Sequence, residues 1–447
     1  MNLLLLVVTA STILRGWWIP VSALLAFSVE MQIGAFVGVG LHGLLLINAV
    51  ITAAALAIRG RCALDEARRG RHVLRVYAGE IGAALRLKRN WTIMGLWLAF
   101  VLIYAGFGVG ELLVIDPYHF LRIDWISAHG LTFNPTPDSR MNAGYLYELI
   151  AADIRIIPGV GGSLFQFVPL WSLIGVAALI VIAMQGQYAR FWLWGNLLFL
   201  PLLLLHGRYF KNDLLLGALA FGALWLIYER KRLFLAGALA GLALATKTTA
   251  FPVVIIGALF LPYGAAFLTT RLRFGAGAAL GAIAGGLLYT QAVTLAGYGE
   301  ALDAVQVGYM VRTVESAILS LRQFAESVLL PQMASSGHND YTYILGFGFL
   351  FPALVAVYVA LAITERLDWQ LGAMCALYML LFAASYNLSY QAQRMVIAPG
   401  LVLMIVTLRA VPKRWERTVG GAAAISTAVM VGLTPAIWAI WGMAFLV

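Results

Sequence analysis

The chain has 447 residues, of which 62% are hydrophobic and only 11% are charged, and its mean hydropathy is +0.88. Soluble domains carry about 25% charged residues, so this composition excludes an ordinary soluble domain and predicts a polytopic membrane protein. The net charge of +10 does not indicate a nucleic-acid partner, because arginine and lysine cluster in short loops between apolar runs, as expected of a chain threaded through a bilayer.

Apolar runs that are long enough to cross a bilayer, or nearly so, recur along the whole chain. They predict an all-α fold with about 13 transmembrane helices. The first run has no basic start and is too long for a signal peptide, so we expect it to be a retained membrane segment. The stretch 233–270 fits either one broken helix or two short ones. The predicted spans are about 3–28, 32–58, 93–114, 164–184, 191–206, 212–228, 233–247, 249–270, 274–295, 343–363, 369–386, 392–409 and 419–446.

The distribution of basic residues predicts the orientation. The segment 59–91 is strongly basic, which favours a cytoplasmic loop, and part of it has the spacing of an amphipathic interfacial helix. With this loop inside, the other basic loops fall on the same side. The extracytoplasmic face then receives two long loops, 115–163 and 296–342, in which further interfacial helices are expected. Residues 1–447 are predicted to form a single transmembrane domain.

An acidic motif, "DPYHFLRID", follows the third apolar run directly. Pro117 suits the first turn of a helix, and residues 117–129 are predicted to form a short interfacial helix. Asp116 stands at its positive end, where a carboxylate is stabilised in its charged form. An ionised carboxylate at a water–lipid boundary suits a general base or a cation ligand, and a plain helix cap explains it equally well.

Three stretches resemble the GT-C membrane glycosyltransferases, in particular the protein-O-mannosyltransferase and lipid-A aminoarabinose transferase type. They are "DPYHF", residues 208–261 with "AGALAGLALATK", and "QRMVIAPGLVLMIV" at 393–406. The family often has two adjacent acids in the first motif. Here Pro117 replaces the second acid, so a paired-acid role falls on Asp124 or is absent.

The resemblance implies transfer of a sugar from a polyprenyl-phosphate donor to a glycan or lipid acceptor. It implies a multi-pass protein of the bacterial inner membrane with an extracytoplasmic active site. Asp116 is the expected base, with His119 and Asp124 in the same motif. Snorkelling to the interface would explain each of the basic residues singly, but we expect four of them, at extracytoplasmic helix ends, to bind the donor phosphate. These are Arg208, Lys211, Lys247 and Arg394.

Asp213 opens the helix after "RYFKN" and has three possible roles. It can cap that helix, pair with Lys247 or Arg208, or bind a divalent cation, so a metal cofactor stays open. The glycines of "AGALAGLA" favour close helix packing.

Two functions of other classes compete with sugar transfer. The first is a secondary transporter or flippase of a lipid-linked or anionic substrate, for which midplane charges and inverted repeats are the usual signs. The second is a lipid-linked glycan polymerase or ligase of a different fold. Charged residues gathered at one face, without a clear repeat, favour the transferase.

Overall fold

The computed structural model describes residues 1–108, 117–132, 145–207, 211–261, 267–289, 311, 313–329, 347–364, 367, 369–385 and 392–444. Within these ranges every regular element is a helix and there is no β-strand, which confirms the predicted all-α class. Short 3₁₀ segments lie at Phe165–Phe167, Tyr188–Arg190, Gly195–Phe199 and Thr248–Ala250. In chain order the α-helices are α1 (Asn2–Ser11), α2 (Trp18–Val37), α3 (Leu41–Leu85), α4 (Lys88–Gly108), α5 (Pro117–His129), α6 (Leu146–Arg155), α7 (Gly161–Leu164), α8 (Val168–Ala183), α9 (Phe191–Trp194), α10 (Pro201–His206), α11 (Asp213–Tyr228), α12 (Leu233–Thr246), α13 (Phe251–Phe260), α14 (Phe267–Ala284), α15 (Val314–Leu329), α16 (Leu350–Thr364), α17 (Trp369–Ser385), α18 (Ala392–Met395), α19 (Ile397–Ala410) and α20 (Lys413–Ala444).

Three stretches of helix in the described ranges are long and apolar enough to cross a membrane. They are Trp18–Val37, Leu41–Leu85 and the continuous run Gly161–Ala183. Shorter apolar helices of 10–17 residues accompany them, among them α11, α12 and α19. These helices are compatible with a membrane protein, and the total of about 13 spans stays a prediction.

The N-terminal region differs from the predicted single span over 3–28. The chain instead forms two helices, α1 and α2, that pack against each other as a hairpin. Gly16 lies in the connection with a φ of 58°, a backbone conformation that suits glycine and ends a helix. Pro20 then falls in the first turn of α2, where proline is tolerated.

The basic segment 59–91 is almost entirely helical. Helix α3 runs without a loop from its apolar first part through a kink at Arg59 to Leu85, and α4 begins at Lys88. The predicted amphipathic helix is therefore longer than the sequence pattern indicated, and the predicted loop shrinks to a short connection. Its cytoplasmic location stays a prediction.

Two predicted spans are divided by local backbone geometry. The span 191–206 splits between α9 and α10, because Leu200 precedes a proline and has an extended backbone with ψ near 121°. The stretch 233–270 also divides, at Lys247, whose φ of −161° and ψ of 127° end α12. The chain here forms two short helical segments on either side of a break, and the number of membrane spans in this stretch stays a prediction.

The residues cluster into two compact units, each assembled from three segments of the chain. The first unit comprises Met1–Glu80, Val109–Pro169 and Phe210–Gly308, and the second comprises Ile81–Gly108, Leu170–Tyr209 and Tyr309–Val447. The predicted single transmembrane domain stays a prediction.

The core of the first unit is the contact between α12 and α14. A Cβ added to any of four glycines on these helices would meet a backbone carbonyl oxygen of the facing helix, so the two backbones touch directly. Small residues at four-residue spacing permit such close packing, which confirms the interpretation of "AGALAGLA". The four glycines are Gly237, Gly241, Gly277 and Gly281.

The core of the second unit surrounds α19, in which every residue from Ile397 to Leu408 is buried. Helices α16 and α17 pack on it, and the ring of Phe347 fills the space beside Gly400. At one end of α19, the Arg409 guanidinium donates a hydrogen bond of 2.8 Å to the Ala183 carbonyl. This fixes the end of α8 against α19.

Candidate functional site

Helix α5 carries the sequence motif that suggested chemistry. Its bounds, Pro117–His129, match the predicted helix, with proline at the first helical position. Asp116 precedes the helix directly and lies outside the described residues, as does Arg208. The predicted base therefore has no structural test, whereas the helix that follows it is fully described.

One face of α5 is buried and carries two ionisable side chains. His119 and Arg122 are three residues apart and are only 2% and 3% exposed. Ile123 and Ile126 are buried beside them and supply the apolar part of this face. His119, Arg122 and Ile123 thus lie on one face of the helix, as their spacing of three and four residues permits.

The partner of both side chains is Glu148 on α6. Nδ1 of His119 lies 2.5 Å from Oε1 of Glu148, and Nη1 of Arg122 donates to the same oxygen at 3.1 Å. Glu148 is fully buried, since α6 packs against α5, α7 and α12. No sequence signal identified this carboxylate, because its partners lie 26 and 29 residues earlier in the chain.

The surroundings of Glu148 keep it ionised. Burial alone raises the pKa of its carboxyl, but the Arg122 guanidinium and the hydrogen bond from His119 outweigh burial, so the pKa lies below its ordinary value of 4.5. An ionised carboxylate only accepts hydrogen bonds, so Nδ1 of His119 is the donor.

A second ion pair joins two neighbouring helix ends in the same unit. Asp213 is the first residue of α11 and is fully buried, and Nζ of Lys247 lies 3.0 Å from its Oδ1. Lys247 stands at the backbone break after α12, where a cation is favoured by the carbonyl end of a helix. Of the three roles predicted for Asp213, pairing with Lys247 is therefore correct. The cap position is Asn212, which makes no side-chain cap bond.

Tyr147, the residue before Glu148 on α6, is fully buried. Its ring meets the imidazole of His119 edge to face, with centroids 6.2 Å apart. Burial raises the pKa of Tyr147 well above 10.0, and the carboxylates of Glu148 and Asp213 raise it further. We call His119, Arg122, Tyr147, Glu148, Asp213 and Lys247 the polar cluster.

Two other predicted phosphate ligands are described. Lys211 is half-buried and directly precedes Asn212. The Asn212 side chain donates a hydrogen bond of 3.4 Å to the Thr246 carbonyl, at the end of α12. Lys211 and Lys247 therefore lie at the same end of two adjacent helices. Arg394 is half-buried on α18, which belongs to the second unit.

Asp124 lies outside the polar cluster. Its side chain is about half exposed and forms an ion pair with Arg155, the last residue of α6. The guanidinium of Arg155 also lies 5.1 Å from the centre of the Phe165 ring. Asp124 therefore lies off the buried face of α5, and its catalytic role stays a prediction.

Helix α6 has a second anchor near its C-terminal end, at Asp153. The carboxylate of Asp153 accepts hydrogen bonds from the backbone N–H groups of Asn2 and Leu3 at 2.9 and 3.0 Å. These N–H groups begin α1 and have no partner within that helix, so Asp153 caps α1 from a distant part of the chain. The cap fixes α6, and with it Glu148, against the N-terminal hairpin.

No group of three or more histidine, cysteine, aspartate or glutamate side chains in the described ranges is arranged to hold a metal ion. The metal role of Asp213 stays a prediction. In the comparisons with known proteins, no family model, curated protein or solved structure matches this chain. The fold and the site thus define a helical protein with membrane-compatible spans and a buried polar cluster.

Proposed function

We propose that this protein is a membrane glycosyltransferase of the GT-C type that moves a sugar from a polyprenyl-phosphate donor to an extracytoplasmic glycan or lipid acceptor. The observation that carries the proposal is the buried His119–Glu148 contact, 2.5 Å long, on the helix that begins with the predicted acidic motif. Burying ionisable groups among apolar helices is costly, and such groups commonly mark functional sites.

The contact gives a basis for proton transfer. The Glu148 carboxylate accepts a hydrogen bond from the Nδ1–H of His119. This bond holds the ring in one orientation, with Nε2 as its basic atom. The carboxylate also stabilises the imidazolium that forms when Nε2 takes a proton. Asp116, three residues before His119, is the second candidate for the base.

The cations of the site suit a departing phosphate. Lys211 and Lys247 lie at the same end of adjacent helices, and Arg122 brings a guanidinium beside His119. Within the described part of the chain, Nε and Nη2 of Arg122 are buried and make no hydrogen bond. Guanidinium donors in this state favour a phosphate or carboxylate ligand.

The proposed step is a displacement at the anomeric carbon. The acceptor hydroxyl gives its proton to His119 or Asp116, and its oxygen forms a bond to the anomeric carbon. The bond between that carbon and the phosphate oxygen breaks, and the lipid phosphate leaves with the electron pair. Cations stabilise this developing charge most strongly where water is excluded.

The test is transfer of a radiolabelled sugar from polyprenyl phosphate to a crude membrane acceptor by three variants. Asp116→Asn and His119→Gln remove the two candidate bases, and Asp124→Asn is the matched control on the same helix. General-base assistance contributes about 10²–10⁴-fold in rate, so the base variant is expected to lose that much while it still binds donor. The control is expected to stay within a few-fold of the parent.

The outcomes separate the assignments. Loss in Asp116→Asn alone identifies that carboxylate as the base and leaves His119 a positioning residue. Loss in His119→Gln alone identifies the imidazole. Normal transfer by both variants would overturn this proton-transfer assignment, and absence of transfer by the parent protein would overturn the proposed function.

One observation favours a secondary transporter as the second candidate. Lys247 and its ion pair sit at a break between two short apolar helices, and broken helices with charged groups are typical binding elements of transporters. This alternative would be supported if the parent protein moved a lipid-linked sugar across the membrane of vesicles without transferring the sugar to an acceptor.

A further inference from the structure

The second part of α3, Arg59–Glu80, is an exposed and strongly basic helix, which we call the arginine helix. It contains six arginines and three carboxylates, and nearly all of its residues are exposed. The charges of this helix are exposed, whereas those of the polar cluster are buried. Its arginines therefore require a separate explanation.

Four of the six arginines have no carboxylate within ion-pair distance among the residues that the structure describes. Arg68 and Arg69 lie 3.6 Å from Asp65 and Glu66, one helical turn away. Of the four others, Arg59 is the kink residue and three lie further along the helix. These are Arg61, Arg71 and Arg75.

The arginine helix has two chemically different faces. At 100° per residue, Arg61, Arg68, Arg71 and Arg75 fall within one arc of roughly 80°. Four apolar residues, Ala63, Ala67, Leu74 and Tyr77, fall within a second arc of about 80°, which also includes Arg59, and Leu64 falls within the arginine arc. Leu74 is 69% exposed, so the apolar side has no protein cover at that point. This is the pattern of a helix that lies in a membrane interface.

The position of the helix in the chain favours the same surface. It continues directly from the apolar stretch that makes Leu41–Leu85 a candidate membrane span. The kink at Arg59, where φ is −131° and ψ is 22°, lies where the apolar sequence becomes basic. The arginines therefore begin at the depth of the lipid headgroups, and the kink permits the helix to change direction there.

We propose that the arginine helix docks on anionic phospholipid headgroups. Clusters of arginine beside a membrane span attract anionic lipids, and the exposed apolar face enters the headgroup boundary. A nucleic acid would match the charge but would leave Val73, Leu74 and Val76 in water. This inference does not depend on the proposed enzymatic function.

The chain contains a reporter for the experiment. Cys62 is exposed within the arginine helix, and Cys375 is buried, so a thiol-reactive, polarity-sensitive dye labels the full-length protein at Cys62. The labelled protein is placed in nanodiscs of phosphatidylcholine alone or with increasing phosphatidylglycerol. A Cys62→Ser protein that takes up no dye is the labelling control.

The arginines are tested by a triple neutralisation, R61Q/R71Q/R75Q, with R61K/R71K/R75K as the charge-preserving match. The dye in the parent is expected to move to a less polar environment as phosphatidylglycerol increases. Each arginine contributes about fivefold to association with an anionic surface, so the glutamine variant is expected to need much more of the anionic lipid. The lysine variant is expected to follow the parent.

Three results would overturn the proposal. They are a dye that ignores the anionic lipid, a glutamine variant that responds like the parent, and a response that depends on protein concentration. The last would assign the surface to a second copy of the chain. Leu74→Gln tests the apolar face separately and is expected to weaken the response without abolishing its dependence on charge.

Discussion

The polar cluster and the arginine helix place similar charged groups in opposite surroundings. Glu148 and Asp213 are fully buried, and each has a cation within 3.1 Å. The side chains of Asp65 and Arg68 are 61% and 68% exposed and lie 3.6 Å apart. Water stabilises the exposed charges of Asp65 and Arg68 even when one of the two is removed. The buried carboxylates of Glu148 and Asp213 are stabilised only by their cationic partners.

This difference separates two kinds of contribution to the molecule. In the polar cluster, loss of one charge leaves an uncompensated charge in an apolar interior, so folding depends on these residues. On the arginine helix, loss of a charge changes what the surface attracts and hardly changes folding. The change in the free energy of unfolding that a substitution causes therefore distinguishes the two regions.

The largest effect is expected from Glu148→Ala. The change leaves His119 and Arg122 buried without their shared carboxylate, and removal of one partner from a buried pair costs about 3–5 kcal/mol. Denaturant unfolding of the purified protein in one detergent measures the free energy of unfolding.

The matched control for that variant is Glu80→Ala, which removes an exposed carboxylate from the arginine helix. A surface substitution of this kind is expected to change the free energy of unfolding by about 0.5 kcal/mol or less. Equal changes in the free energy of unfolding from the two variants would mean that burial of the carboxylate does not determine its contribution to stability.

A smaller effect is expected from the pair Asp213–Lys247. Asp213 is fully buried but the Lys247 side chain is 28% exposed, so solvent reduces the interaction. A double-mutant cycle with Asp213→Asn and Lys247→Gln is expected to give a coupling free energy of about 1–3 kcal/mol. Additive single effects would show that the 3.0 Å contact contributes nothing to folding.

The pH dependence of stability tests the polar cluster without removing a side chain. The pKa of Glu148 is lowered in the folded protein, so its stabilisation is complete above the ordinary value of 4.5 and is lost as the pH falls through the folded value. One such group changes the free energy of unfolding by at most about 1.4 kcal/mol per pH unit. The difference between the parent and Glu148→Gln measured below pH 5 isolates this group, and parallel profiles would contradict the assignment.

The sequence predicted features that depend on local pattern. Apolar runs located α11, α17 and α19 closely, Pro117 marked the start of α5, and the glycines of α12 indicated close packing. Each of these signals lies within the element that it predicts. These helix positions and this close packing were therefore predictable from the chain alone.

The sequence did not predict features that depend on distant partners. No residue pattern near Glu148 predicts its pairing with Arg122, and none near Asp153 predicts that it caps α1. The break that makes α1 and α2 a hairpin was missed, because a long apolar run hides a single glycine turn. Asp124 was chosen by its type, and only the fold shows that it pairs with Arg155.

The smallest effect is expected from the exposed pair Asp65–Arg68. Its members are one turn apart on a solvated helix and 3.6 Å from each other, so solvent and salt screen their attraction. A double-mutant cycle with Asp65→Asn and Arg68→Gln is expected to give about 0.2–0.5 kcal/mol at low ionic strength and close to nothing in molar salt. The Asp213–Lys247 coupling, measured in the same salts, is expected to change much less because one member is buried. A coupling at Asp65–Arg68 that equalled the buried one and resisted salt would mean that the arginine helix is shielded from water in the detergent-solubilised protein, and bound lipid would then be the first explanation to examine.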